Sequence, residues 1–173
     1  SVGTAQLIDG AVTSAKLASG TGGKVLQVVS ANKTDTFTSA SSSFVDLTGI
    51  TVNITPSATS SKILVMCSLS LSVDNGGAPQ LKLLRDSTAL NLADAAGSRG
   101  RTTTSYVISA TDVIASVPIT FLDSPSSTSQ LTYKVQGFGY NTNVIYVNRT
   151  SNDADAAYRQ RASSSITVME IGA

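Results

Sequence analysis

The sequence contains no histidine and no tryptophan, a single cysteine (Cys67) and a single glutamate (Glu170). Without histidine there is no Ser-His triad, no imidazole metal ligand and no side chain that ordinarily titrates near neutrality. One cysteine excludes an intrachain disulfide and leaves the redox compartment open. Charged residues are only 13% of the chain and the formal net charge is +1, so there is no basic stripe for nucleic acid or for an anionic membrane. No apolar run is long enough to span a bilayer, and residue 1 is Ser with no visible signal peptide. The phosphate-cradling loop G-x-x-x-x-G-K-[ST] and the H-E-x-x-H and CxxC zinc patterns are all missing. Nucleic acid binding, membrane insertion, a metal site and a cofactor are therefore not expected.

Serine, threonine, glycine, alanine and valine fill the space left by charge, a blend suited to pleated strands and polar turns. Residues 1–23 stand apart. Ala5-Gln6-Leu7-Ile8-Asp9-Gly10 recurs ten positions later as Ala15-Lys16-Leu17-Ala18-Ser19-Gly20. Each unit carries one or two apolar side chains and a glycine turn, too little to bury alone, so it needs neighbouring copies or the same segment of other chains. A flexible arm that packs nowhere is the alternative. Gly20-Thr21-Gly22-Gly23 reads as a hinge into a second region, residues 24–173.

That region is a succession of strand signals. Runs are expected at Lys24–Ser30, Phe44–Leu47 continuing into Ile50–Ile54, Lys62–Val73, Gln80–Arg85, Tyr106–Ala110, Val113–Phe121, Leu131–Gln136, Val144–Val147 and Ile166–Ile171. In Lys62–Val73 one face is Ile63, Val65, Cys67, Leu69, Leu71 and Val73, and Ser68, Ser70 and Ser72 lie opposite as a solvated face. Pro118 marks its run as an edge or a bulge. Asp74-Asn75-Gly76-Gly77 is a turn, and residues 148–164 are a polar loop or a short helix. The expectation is one all-β domain, an antiparallel β-sandwich, for which a jelly roll accommodates eight strands.

Two strands are apolar on both faces. Leu64 and Met66 oppose the core side of Lys62–Val73, and Met169 and Ile171 do the same in the last strand. An apolar outer face wants a cover, either another subunit or a loop of the same chain. The N-terminal repeat asks for the same partner, so these four residues are candidate subunit contacts and a homo-oligomer is expected.

Enzymatic chemistry has little to work with. Cys67 sits on the apolar face of a strand, where a thiol is core filler. Carboxylate pairs such as Asp153 with Asp155, or Asp86 with Asp94, are the one device left for glycoside hydrolysis. Asp153 and Asp155 lie among Arg149, Arg159 and Arg161 and read as solvated loop residues, and Glu170 is expected to pair with a Lys or Arg. A non-enzymatic role follows, with exposed loops as the contacts: Asp74 and Asn75, Arg99 and Arg101, Tyr140 and Asn141, and the loop bearing Asp153, Asp155, Tyr158 and Arg159. Tyrosine faces stack on sugars, while Asn, Asp and Arg bond hydroxyls.

The segment Leu7-Ile8-Asp9-Gly10-Ala11-Val12-Thr13-Ser14-Ala15-Lys16-Leu17 resembles the L-x-D-G-A-V-T-x-x-K-L repeats of bacteriophage tail-fibre proteins. Gly22–Ser30 is similar to the start of many fibre head domains, and Ser164–Ile171 to their last strand. The resemblance implies a homotrimer on the virion. Its N-terminal shaft would be anchored to other virion proteins, and its head would be a jelly roll like those of the tumour-necrosis-factor and complement superfamily. It also implies attachment to a host-surface glycan or protein. With only two repeats the chain departs from longer fibres. A capsid, collar or baseplate decoration without a receptor, a depolymerising tailspike and a non-viral complement-like adhesion domain are the other roles such modules fill.

Overall fold

A computed structural model describes residues 24–74, 77–107, 112–140 and 144–172. The repeat segment 1–23 lies outside these residues, as do Asn75 and Asn141. Among the described residues there is no helix. Eleven strands run β1 (Val25–Lys33), β2 (Phe37–Ser39), β3 (Val45–Ile54), β4 (Lys62–Val73), β5 (Pro79–Arg85), β6 (Thr88–Leu90), β7 (Thr104–Ser105), β8 (Ala115–Asp123), β9 (Leu131–Gly139), β10 (Ile145–Val147) and β11 (Ser164–Ile171).

They form two antiparallel sheets. In the first, β11 lies between β1 and β4, β8 pairs with the other side of β4, and β10 and β2 continue the lines of β11 and β1 past residue 69. The second has the order β3-β9-β5-β6, with β7 also on β5. The alternation read from the sequence decides the layering. Ile63, Val65, Leu69, Leu71 and Val73 of β4, with Ile166 and Val168 of β11, are 0% exposed and face Leu81, Leu83, Tyr133 and Val135 of the second sheet. Cys67 fills the same layer, its thiol pushed up to about 12 by burial, and acts as an apolar filler. Pro118 sits in β8, which pairs only with β4, so its missing N–H lies in an edge strand.

The strand register gives the sandwich two ends. Val25, Ile171 and Lys62 align at the end where the chain enters, and the Gly172 amide donates to the Lys24 carbonyl there. Val73, Pro79, Ala115, Gly139 and Ile145 are strand termini at the opposite end. We call these the proximal and distal ends.

Several expectations are corrected. No strand covers Tyr106 and Val107; the short β7 precedes them, at Thr104–Ser105, and residues 108–110 lie outside the description. The run through Phe44–Ile54 is one strand, but its register with β9 shifts between Asp46 and Thr51. This bulge turns Leu47 and Ile50 inward, at 1% and 0% exposure, and needs the left-handed Gly49 (φ 87°) packed on the Lys33 side chain. Residues 148–163, by contrast, are a loop, one of the two forms expected.

Glu170 also departs from expectation. It points inward at the proximal end, is 0% exposed, and is held by neutral donors rather than by a Lys or Arg among the described residues. Its carboxylate accepts hydrogen bonds from the Ser57 amide (2.7 Å), the Ser57 hydroxyl (2.6 Å) and Gln27 Nε2 (2.6 Å). Burial pushes its pKa up, but these donors outweigh it and hold the group at about 2. One strand beyond Ile63 in the same cross-strand row, Asp123 accepts from Tyr133 Oη (2.7 Å) and Arg85 (2.6 Å), tying the two sheets together. Polar groups thus close the proximal end of the core while remaining satisfied.

Two outcomes follow. Leu69→Ala, at a fully buried central position, is expected to cost about 3 kcal/mol in denaturant unfolding. Glu170→Gln is expected to cost about 2 kcal/mol at neutral pH, because it removes an ionised acceptor from three donors. The native pKa lies below the unfolded one, so this stabilisation is present above the ordinary carboxylate range and is lost as pH falls towards about 2. The wild-type and variant melting curves should therefore converge on acidification. A gap independent of pH would contradict the assignment.

Candidate functional site

The outer face of the first sheet divides into two halves. On the distal half, the serine face of β4 is solvated only in part: Ser68 is exposed as the alternation suggests, and Ser70 is half-buried. Ser72 is 0% exposed and Thr150 is 1% exposed, because residues 148–163 leave the sheet between β10 and β11 and fold back over it. Asn148 forms the neck of this excursion in a left-handed conformation (φ 63°). Its Nδ2 donates to the carbonyls of Lys33 (2.8 Å) and Asp35 (2.9 Å), its Oδ1 accepts from Ser164 Oγ (2.6 Å), and its amide donates to the Ser70 carbonyl (2.8 Å). Arg149 and Arg161 bridge opposite each other just outside it.

The loop is braced by charge. Asp153 accepts from Arg149 (2.7 Å) and from Arg161 (2.7 Å) on its two oxygens. Burial pushes the Asp153 carboxyl up, but the two guanidinium groups hold it below its ordinary range. Arg149 also stacks on Tyr146, with 4.5 Å between guanidinium and ring centre. Arg159 pairs with Asp112 at 3.4 Å and covers Tyr158 at 5.1 Å, so Tyr158 is held while remaining 61% exposed.

On the proximal half no loop among the described residues intervenes. Cross-strand neighbours form a row of Val28, Met169, Leu64 and Leu122, with Val25 and Ile171 on one side and Met66 on the other. Val25, Val28 and Leu122 are 49%, 54% and 47% exposed, and Leu64, Met66, Met169 and Ile171 are half-buried. The four candidate subunit contacts thus fall in one continuous apolar patch. Val25, Val28 and Leu122 belong to it too, and only strand pairing reveals them. The outer face of the second sheet is different. Lys134 and Gln136 donate to Asp46, Thr132 to Asn53, and Lys82 sits 3.8 Å over the Phe44 ring. A cleft of about 250 Å³ at the β3 bulge is flanked by the Asp46–Lys134 pair.

The candidate loop contacts separate into three groups. Asp74 and Tyr140 share the distal end; Asp74 Oδ1 accepts from the Val144 amide at 2.6 Å, and Tyr140 is 54% exposed. Asp153, Asp155, Tyr158 and Arg159 share the loop over the first sheet, where Asp155 is exposed. Arg99 and Arg101 lie on the 91–103 loop along the β5 edge, donating to the carbonyls of Ala96 (3.4 Å) and Ala93 (2.6 Å). Sequence reasoning missed Tyr106, Asp112 and Asn148. Asn148-Arg149-Thr150 matches the N-x-[ST] glycosylation pattern, but Asn148 is fully buried, which excludes that use.

Among the described residues no group of three or more His, Cys, Asp or Glu side chains could hold a metal ion. No helix among them is long and apolar enough to cross a membrane. No model of a known protein family matches the chain, and no curated protein matches it.

Because Asp153 closes both clasps, Asp153→Ala should loosen the loop alone. Amide exchange over residues 150–161 is expected to quicken roughly fivefold, as the loss of two partly exposed ion pairs allows. Exchange in β4 should be unchanged. Equal acceleration in both would show that the loop and sheet open together.

Proposed function

We propose that this chain is a structural protein of a bacteriophage particle, a non-enzymatic fibre whose three copies form a head that attaches to the host surface. The observation that carries the reading is the bare apolar half of the first sheet, set beside the point of chain entry and away from the distal loops. Soluble monomers seldom leave so contiguous an apolar surface uncovered. Side chains such as Val28 and Leu122, about half exposed, each regain on the order of 1 kcal/mol when a second copy covers them. Three copies meeting through this half would direct their N-terminal segments together towards the virion and leave the distal ends free. The resemblance of residues 7–17, 22–30 and 164–171 to phage fibres supplies the viral assignment and the number three.

The strand order supports a jelly-roll reading of the sandwich. The chain passes between sheets at six of the ten connections between strands, and β1-β11-β4-β8 faces β3-β9-β5-β6, the interleaved order of two nested Greek keys. A decoration or connector protein without a receptor would keep the same assembly. It differs only in that the distal end would contact nothing on the host.

Light scattering of the purified chain is expected to give three chain masses at micromolar concentration, and Leu64→Glu to reduce this to one with β-sheet circular dichroism preserved. A wild-type monomer would defeat the trimer. Purified trimer should also adsorb to permissive cells and compete with phage; adsorption to none would leave the architectural role.

A further inference from the structure

The ion pairs of the described residues take up Lys33, Arg85, Lys134, Arg149, Arg159 and Arg161. Among the described residues Lys24, Lys62, Lys82, Arg99 and Arg101 are left without a carboxylate. Lys24 and Lys62 lie at the proximal end. The other three gather on the second sheet.

Their meeting point is Gln80. Strand β5 buries Leu81 and Leu83, and so turns Gln80 and Lys82 to the outer face as neighbours. Residues 91–103 leave β6 and return along the edge of β5. Thr103 pins the return: its amide donates to the Leu81 carbonyl (2.8 Å), and its hydroxyl donates to the Leu90 carbonyl (2.8 Å) and accepts from the Leu83 amide (2.9 Å). A β-carbon on Gly100 would stand 2.9 Å from Gln80 Oε1, so the backbone between Arg99 and Arg101 rests on that side chain. Arg99 Nη1 donates to the Ala96 carbonyl (3.4 Å) and Arg101 Nε to the Ala93 carbonyl (2.6 Å). Both arginines are exposed, and the remaining donors of each fork face solvent.

The surrounding carboxylates do not offset this charge. Lys82 sits over the Phe44 ring, and its cross-strand neighbour Gln136 separates it from Asp46. The two Asp46 oxygens are taken by Lys134 and Gln136. Asp94 is the one carboxylate of the 91–103 loop and forms an ion pair with neither arginine. Three cations against one carboxylate make this face positive on a chain whose net charge is only +1. A guanidinium fork matches the paired oxygens of a carboxylate or phosphate. A protein partner would also ask for an apolar anchor. The loop has no aromatic residue, and its one large apolar side chain, Leu92, is half-buried. A hydrated polymer of acidic sugars needs no such anchor.

We propose that this face binds the carboxylate or phosphate groups of an acidic polysaccharide, with Arg99 and Arg101 as the forks and Lys82 as the third cation. It belongs to the second sheet, so assembly through the apolar patch of the first leaves it open. This inference rests on the host-attachment reading above and names its ligand class.

The test is binding of the full chain to immobilised polygalacturonate, phosphorylated mannan and neutral dextran. Binding is expected to one or both acidic polymers and not to dextran, and the tighter of the two tells carboxylate from phosphate. It should weaken about tenfold between about 50 and about 500 mM salt. Arg99→Ala combined with Arg101→Ala should weaken it about tenfold, and the same pair changed to Lys less, since a point charge replaces each fork. Lys24→Ala combined with Lys62→Ala removes equal charge at the proximal end and should leave it unchanged. Oligomeric mass and circular dichroism should be the same in all three variants. Dextran bound as tightly as the acidic polymers, equal weakening by the proximal pair, or neither acidic polymer bound would each overturn the inference. Adsorption to a panel of bacterial cells separates it from the reading beneath. Adsorption that the double alanine variant of the arginines keeps in full overturns the site and retains host attachment. Adsorption lost on protease treatment of the cells does the same, since it assigns the contact to a protein. Adsorption to no strain overturns both.

Discussion

A sheet of alternating side chains has two faces, and the first sheet of this protein has greasy residues on both. That constraint organises the molecule. The inner face is closed by the second sheet, and the distal half of the outer face by residues 148–163. The proximal half, from Val28 through Met169 and Leu64 to Leu122, has no cover among the described residues. The second sheet has no such problem, since its outer face is laced by Asp46, Lys134, Gln136, Asn53 and Thr132. One molecule thus combines a solvent-tolerant back with an unfinished front.

The few ionised groups are used economically. Glu170 is buried with neutral donors alone, Asp123 is shared between Tyr133 and Arg85, and Asp153 between two arginines. Each fixes a boundary: the proximal end of the core, the junction of the two sheets, and the loop over the first sheet. Such arrangements are satisfied only in the native geometry, which helps a chain of simple composition select one register among many.

Much of the layering was legible because strand alternation is a local signal. The unbroken series Ile63 to Val73 fixed the core face of β4, and Pro118 marked the edge strand. What failed was non-local. Ser72 looked solvated because a sequence does not reveal that a distant loop returns over it. Glu170 was expected to meet a cation because the Ser57 amide and Gln27, which hold it instead, are 113 and 143 residues away. Strands β2, β6 and β7, of three, three and two residues, are too short to show a period, and their pairing partners define them. The apolar patch was half visible: Leu64, Met66, Met169 and Ile171 came from alternation, while Val25, Val28 and Leu122 joined only through strand register. Of the loop contacts, Arg99 and Arg101 were found by their residue type, and Gln80 and Lys82 beside them were hidden inside an expected strand.

The central claim is that other copies of the chain cover the proximal patch, and the sequence contains a built-in reporter for it. Met66 and Met169 are the only two methionines, and both lie in the patch. Brief peroxide treatment followed by mass spectrometry reads their exposure directly. If copies cover the patch, both thioethers resist oxidation at high protein concentration and become reactive when the assembly is diluted apart. Equal oxidation of both methionines at all concentrations would contradict the account.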